Sequence, residues 1–342
     1  MKAMRLHEIT EVNENSEPLT YEEIPVPEPG KDELLVRISV CGVCHTELDE
    51  IEGRTPPDPL PVVPGHQVVG TVEKTVGNSE GLKEGDRVGI AWIYSACGEC
   101  YHCRKGEENL CPDFTATGRD MDGGYAEYMT VPAAYAHPIP KDLGDKEAAP
   151  LLCAGAIGYR SLSLTGISNG ERLGMTGFGA SGHLVLRMAK HIYPDSEIFV
   201  FARSEEQREF AKELGASWTG DTEEKSPEKL HAIIDTTPAW KPVVEALGNL
   251  EPAGRLVINA IRKEKADQDY LQKLNYSQHL WMEKEIKSVA NVTREDVKQV
   301  LKVAAKFNIK PDVETYLLEE ANRALMDLIK GSSRGAKVLE IA

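Results

Sequence analysis

Four cysteines, Cys97, Cys100, Cys103 and Cys111, follow one another as C-x2-C-x2-C-x7-C. Thiolates at such short spacings can close a tetrahedral zinc site from one stretch of chain, and with all four positions filled none is left for substrate. The group reads as a structural metal lobe at about residues 95–113. Zinc is preferred there to an iron–sulfur cluster, which thiolates also hold. His102, between two of the cysteines, reads as a solvent-facing loop residue. A second constellation is the G-x-G-x-x-G of Gly177-Phe178-Gly179-Ala180-Ser181-Gly182. It follows a strand-like run at 172–176 and opens an apolar helical stretch. In that setting the glycines let a pyrophosphate approach a helix N-terminus, so Gly177, Gly179, Ala180, Ser181 and Gly182 are expected to bind a dinucleotide.

The end of the next strand bears on which dinucleotide. An NAD site places Asp or Glu about twenty residues beyond the glycines to hold the ribose hydroxyls. Here the strand-like run at 198–202 ends in Ala202-Arg203-Ser204. No carboxylate stands at that place, and Arg203 can pair with a 2′-phosphate while stacking on adenine. The expectation is NADP(H) in preference to NAD(H), with Ala202, Arg203 and Ser204 lining the adenosine end.

These residues need elements to hold them. The first ~150 residues carry short alternating apolar runs, such as 34–40 and 68–72, between turn signals, which read as an antiparallel, barrel-like β domain. From about Pro150 the texture changes to strand-like runs alternating with helical stretches: 172–176, 180–191, 198–202, 205–214, 232–235 and 255–260. That is the βαβ pattern of a parallel, doubly wound sheet. The last segment ends in a strand-like run at 336–341 and is expected to fold back onto the first domain. The polar stretch 222–229 reads as a solvated loop.

Composition bounds the function. A chain of 342 residues, 41% hydrophobic and 27% charged, suits two domains of an ordinary globular protein. A formal net charge of −16 argues against nucleic acid as partner. No apolar run is long enough to span a membrane, and the first residues show no apolar core with a cleavage site, so a cytoplasmic protein is expected. Seven cysteines in a reducing compartment point to metal before disulfides.

Gly42-Val43-Cys44-His45-Thr46-Glu47-Leu48, then Pro64-Gly65-His66, then the cysteine lobe, then Pro150-Leu151-Leu152-Cys153-Ala154-Gly155 stand in the order of a known family. The chain resembles, essentially end to end, the zinc-containing medium-chain alcohol dehydrogenases, closest to their cinnamyl-alcohol-dehydrogenase-like bacterial and archaeal branch. The resemblance implies an α/β protein: a GroES-like β-barrel catalytic domain at 1–152, a Rossmann domain at 153–288, and a return segment at 289–342. It implies two zinc ions per chain. Cys44, His66 and Cys153 would be the catalytic ligands, since two thiolates and one imidazole neutralise Zn²⁺ and leave an open position. Cys41 matches no ligand position and reads as a buried small side chain.

The same resemblance implies that Glu47 orients His66. Thr46 would relay the alcohol proton, with Asp49 where many relatives carry a histidine in that relay. His45 and Arg334 would contact the pyrophosphate, and Trp92 would wall the substrate pocket. One position departs from the family: Gln67 follows His66 where Glu is usual, keeping an acceptor but losing the charge. The implied function is hydride transfer between NADP(H) or NAD(H) and a zinc-bound primary alcohol or aldehyde, in a homodimer or homotetramer. A zinc-free quinone or enoyl reductase would lack both cysteine groups, a non-enzymatic sensor has only Gln67 in its favour, and a zinc-ribbon nucleic-acid binder conflicts with the net charge.

Overall fold

The computed structural model describes residues 1–330 and 335–341. The chain divides into two units, Met1–Cys153 with Asn291–Ala342, and Ala154–Ala290.

In the first unit the long strand Glu33–Val43 is the organiser. It pairs antiparallel with Val68–Thr75, with Tyr128–Pro132 and with Ala336–Glu340, and the sheet continues through Arg87–Ile90 to Ala136–Pro138. The C-terminal strand Ala336–Glu340 pairs with Glu33–Val43 of this unit, with Val313–Leu317 beside it in parallel. Alternation along these strands puts Val36, Ile38, Val68, Val72, Val88 and Ile90, all buried, on one face.

The second unit holds a sheet of six described strands, all parallel. Their order is Trp218–Gly220, Ile198–Phe201, Leu173–Thr176, Leu230–Asp235, Leu250–Ile258, Glu285–Ser288. Its central strands are buried runs, as a sheet covered on both faces requires. Phe199, Phe201, Ile233, Val243, Leu247 and Leu256 form one packed cluster on it. In chain order the sheet runs third, second, first, fourth, fifth, sixth. The strand order reverses between Leu173–Thr176 and Leu230–Asp235, and ligands of such sheets bind at the carboxyl ends there.

Two differences from the sequence reading have physical causes. The strand expected at 255–260 is Leu250–Ile258, because it starts earlier through Pro252 and Gly254, residues that read as a turn, and is accommodated by a register shift opposite Leu230 and Ala232. The strand Glu285–Ser288 was not foreseen because all four of its residues are exposed and carry no apolar pattern. Among the described residues no helix is long and apolar enough to cross a membrane.

His137, opposite Gly89 on the strand Ala136–Pro138, is 1% exposed, and neither ring nitrogen has a hydrogen-bond partner among the described residues. Burial, then the Lys298 and Arg294 charges, lower its pKa from 6.5 to about 3. The folded state thus refuses a proton that the unfolded chain accepts. Stability is fully present above the unfolded value and falls as pH drops from about 6.5 toward 3, by at most about 1.4 kcal/mol per pH unit. His137→Leu is expected to flatten this limb; unfolding curves between pH 7 and 4 that stay parallel for both proteins would contradict it.

Candidate active site and metal centres

The helix His45–Ile51 begins at Cys44, whose Sγ accepts the Thr46 N–H at 3.4 Å. Glu47 closes the cap from the other side: its Oε2 accepts the Cys44 N–H at 2.8 Å. The other carboxylate oxygen, Oε1, lies 2.6 Å from His66 Nδ1. One carboxylate thus fixes the backbone of one candidate ligand and the ring of another, turning His66 Nε2 toward Cys44 Sγ at 3.6 Å. His66 reaches this position because Gly65 precedes it. Gly65 has φ +98°, and a Cβ there would lie 2.4 Å from the Tyr125 ring, so no side chain fits. Cys153 arrives from a separate segment, the π-helical turn Leu151–Gly155. The donor atoms of Cys44, His66 and Cys153 all lie within 4.8 Å of one another.

The electrostatics call for a cation here. Hydrogen bonding with Cys153, burial and the Glu47 charge push the Cys44 thiol up. Burial alone would lower His66, but Glu47 and Cys44 more than offset it and hold the imidazole well above its usual range. The Cys44 thiol, raised beside the Glu47 carboxylate, becomes a thiolate when a metal supplies the opposing charge, and soft sulfur with imidazole suits zinc. Cys41, by contrast, is fully buried, and its Sγ lies 3.6 Å from the Gly42 carbonyl, outside the cluster.

The second group gathers Cys97, Cys100, Cys103 and Cys111. Cys97 Sγ is 3.9 Å from Cys103 Sγ and 3.5 Å from Cys111 Sγ. Four sulfurs about 2.3 Å from a tetrahedral zinc would be about 3.8 Å apart, so the lobe already has the right size. Backbone N–H groups of Cys97, Cys100 and Cys103 point at the sulfurs of Cys111, Cys97 and Cys100 at 3.3–3.4 Å. Bonds from the Glu99 and Cys100 N–H groups lower Cys97 to about 7. All seven cysteines are unpaired thiols. His102 is not among the grouped donors of the lobe; its Nδ1 lies 3.2 Å from Glu107 Oε2.

At the dinucleotide loop, Gly177 has φ +79°, and a Cβ there would meet Thr237 and Thr236 within 3 Å. Gly179 caps the helix Ala180–Ile192, and open space surrounds the position a Cβ would take. Ser181 and Gly182 lie in that helix's first turn, so the backbone N–H groups of the turn are free of their own chain for an anion. The strand Ile198–Phe201 leads into buried Ala202 and exposed Arg203, and Ser204 Oγ caps the helix Glu205–Glu213 by accepting the Gln207 N–H. Arg334 lies outside the described residues.

Three side chains that matter here were not singled out in the sequence. Glu50 is 1% exposed; burial first, then the Glu47 charge, raise it from 4.5 to about 8. Its place, four residues after Thr46 and three after Glu47 on one helix face, was the available signal. Asp235, fully buried at the end of its strand, accepts Thr176 Oγ1 at 2.5 Å and Thr237 Oγ1 at 2.8 Å, and pairs with Lys263. Lys263 also donates to the carbonyls of Thr237 and Ala239, which fixes the loop beside Gly177. Nothing in local spacing links residue 263 to residue 235.

A doubly wound dinucleotide sheet, a soft three-donor cluster and a four-thiol lobe define a zinc- and nicotinamide-dependent oxidoreductase. Comparisons with known proteins agree. Residues 30–141 match the alcohol dehydrogenase GroES-like domain, and residues 180–306 match the zinc-binding dehydrogenase domain. The chain is 44% identical to a probable alcohol dehydrogenase, AdhA, of Mycobacterium tuberculosis, covering 92% of this chain and 91% of that one. It is 36% identical to an alcohol dehydrogenase of Geobacillus stearothermophilus, covering 96% and 98%. The cobalt- and zinc-bound thermostable alcohol dehydrogenase of Pyrobaculum aerophilum superposes with a TM-score of 0.84 at 25% identity over 99% of each chain. The chain belongs to the zinc-containing medium-chain alcohol dehydrogenase family, and its activity is that of a zinc-dependent, NAD(P)-dependent alcohol dehydrogenase.

The two metal groups should separate by mutation. Cys153→Ala or His66→Ala is expected to abolish turnover, halve the bound zinc and leave unfolding nearly unchanged. Cys100→Ala is expected to lower the melting temperature markedly, because structural zinc contributes to folding. Metal analysis with thermal unfolding decides, and indistinguishable behaviour of the two classes would overturn the division.

Proposed function

We propose that the enzyme interconverts a primary alcohol and its aldehyde, with NADP(H) used in preference to NAD(H). The observation that carries the cofactor reading is the turn after Ile198–Phe201. Ala202 there is 2% exposed and offers no carboxylate to the ribose hydroxyls, while Arg203 is exposed beside it. A second cation braces the turn: Arg208 Nη1 donates to the Ala202 and Arg203 carbonyls at 2.7 and 2.9 Å. Both guanidinium groups favour the extra phosphate of NADP.

Cys44, His66 and Cys153 would hold a zinc that would act as Lewis acid on the substrate oxygen, and a bound nicotinamide would supply or take the hydride. The chain's own side chains hold and move the rest. Glu47 keeps His66 in one tautomer and orientation. The Thr46 hydroxyl, half-buried in the first turn of its helix, relays the alcohol proton, accepting it as it passes its own proton on. Asp49 does other work in this reading: its Oδ1 accepts Arg54 Nε at 2.6 Å and its carbonyl accepts the Arg54 and Thr55 N–H groups. It anchors the loop after the helix, and the proton leaves through water. His45, exposed at the first helical position, is assigned with Arg334 to the pyrophosphate, and Trp92 to the substrate wall.

The assembly we favour is a homo-oligomer built through the edge strand Glu285–Ser288. That strand ends the six-stranded sheet with all its residues exposed. Trp281, Met282 and Ile286, each about half exposed, lie on or just before it. An unpaired edge with apolar neighbours is a template for a second strand, and a second copy of this chain presents a matching one.

Two outcomes are expected. Kinetics with both cofactors should favour NADP(H) in kcat/KM by roughly tenfold, the scale of one charge-assisted contact at an exposed position. Arg203→Ala should erase most of that preference, and Ala202→Asp with Arg203→Ile should turn the enzyme toward NAD. Equal or better use of NAD by the unmodified enzyme would refute the preference. By sedimentation, the unmodified chain should be a dimer or larger, and Trp281→Lys with Ile286→Lys should shift it toward monomer. A monomeric unmodified protein would refute the assembly.

A further inference from the structure

We propose that Glu50 is a positioning residue that locks the indole of Trp92, and that this lock sets which alcohols the enzyme accepts. The proposal deepens, and rests on, the reading of Trp92 as the substrate wall. Trp92 is held by its backbone and by contacts to its ring. Its carbonyl accepts the Thr117 N–H at 2.8 Å, and Thr117 Oγ1 donates to the Ala91 carbonyl at 2.9 Å. Phe114 packs tilted against the ring at 5.2 Å between centroids. The Arg119 guanidinium lies over the ring, 5.2 Å from its centroid. Arg119 is itself fixed by Asp120, whose two oxygens accept Nε at 2.8 Å and Nη2 at 2.6 Å. Asp120 Oδ2 also accepts the Ala116 N–H at 2.7 Å, which ties this stack to the backbone.

Packing and stacking restrain the plane of a ring but do not distinguish its two orientations related by a half-turn about Cβ–Cγ, which carry the N–H to opposite edges. The indole N–H is the one directional handle, and Glu50 Oε1 accepts it at 3.3 Å. The second oxygen, Oε2, is buried with no partner among the described residues. A carboxyl group half-satisfied in this way is a costly choice for filling space. Glu50 shares its helix face with Thr46 and Glu47, so the side chain that holds the wall grows from the same turn as the groups beside the metal. A rigid wall discriminates among substrate shapes, whereas a ring free to swing admits wider ones.

The test compares the unmodified enzyme with Glu50→Gln, Glu50→Leu, Trp92→Ala and the Glu50→Leu/Trp92→Ala double variant. Each is assayed for kcat and KM on ethanol, butan-1-ol and benzyl alcohol, with zinc content measured throughout. Glu50→Gln keeps a carbonyl acceptor at the same reach and should retain the unmodified selectivity. Glu50→Leu should change the benzyl-to-ethanol ratio of kcat/KM by roughly five- to tenfold, the scale of one lost hydrogen bond. That change should lie mainly in KM, with zinc content intact. In the Trp92→Ala background the Glu50→Leu change should add nothing to the ratio. An unchanged ratio in Glu50→Leu, or an equal change with and without Trp92, would overturn the positioning role while leaving the wall in place. A ratio that Trp92→Ala itself does not move would overturn the wall reading, and this proposal with it.

Discussion

The Cys44, His66 and Cys153 donors come from three distant segments, and hydrogen bonding with Cys153, burial and the Glu47 charge push the Cys44 thiol up. The helix that begins at Cys44, the turn at Gly65 and the turn Leu151–Gly155 hold these donor atoms within 4.8 Å of one another. Glu47 is central because it acts on two donors at once, capping the Cys44 N–H with one oxygen and touching His66 with the other. Loss of either contact would leave a buried charge half-compensated, which costs more than the contact itself contributes. Gly65 serves the same end by steric means, since the backbone can pass Tyr125 only without a side chain.

The second unit solves a different problem with a similar economy of parts. A parallel sheet that reverses its strand order leaves an opening at the carboxyl ends of Leu173–Thr176 and Leu230–Asp235. An anion needs backbone N–H groups there, so the turn at Gly177 must be tight and the approach at Gly179 open. The buried Asp235–Lys263 pair secures the facing loop. Such a pair adds little net stability, because desolvation cancels most of its attraction. Its bonds to Thr176, Thr237 and Ala239 instead fix one loop geometry beside Gly177.

What could be read in the sequence was local or motif-bound. The four-cysteine lobe and the glycine loop declare themselves within about fifteen residues each, and the period-2 and βαβ patterns follow from burial on one face or two. The separated donors Cys44, His66 and Cys153 were legible only through resemblance, since spacing across a hundred residues carries no geometry. Glu50, Asp235 and Lys263 escaped because a buried charge looks in sequence like any surface charge. Only the fold shows that Glu50 points inward and that Lys263 meets Asp235. The contact between Asp49 and Arg54 likewise emerges only from the loop geometry.

The departure at Gln67 becomes intelligible in the same terms. Gln67 is buried, Nε2 has no partner among the described residues, and its side chain packs so closely on Gly42 that a Cβ there would lie 2.8 Å away. Glu47 already places one buried carboxylate against His66, and Glu50, a helical turn on, is pushed to about 8 by burial and by that neighbour. A glutamate at 67 would bring a further carboxylate to the residue next to His66, raising the cost of every negative charge already there. The amide keeps the volume and one acceptor without the charge. In this chain the acid on the helix His45–Ile51 and the amide after His66 are therefore physically coupled choices. The helix keeps the carboxyl that bonds Trp92, and the segment carrying His66 stays neutral beside the metal ligands.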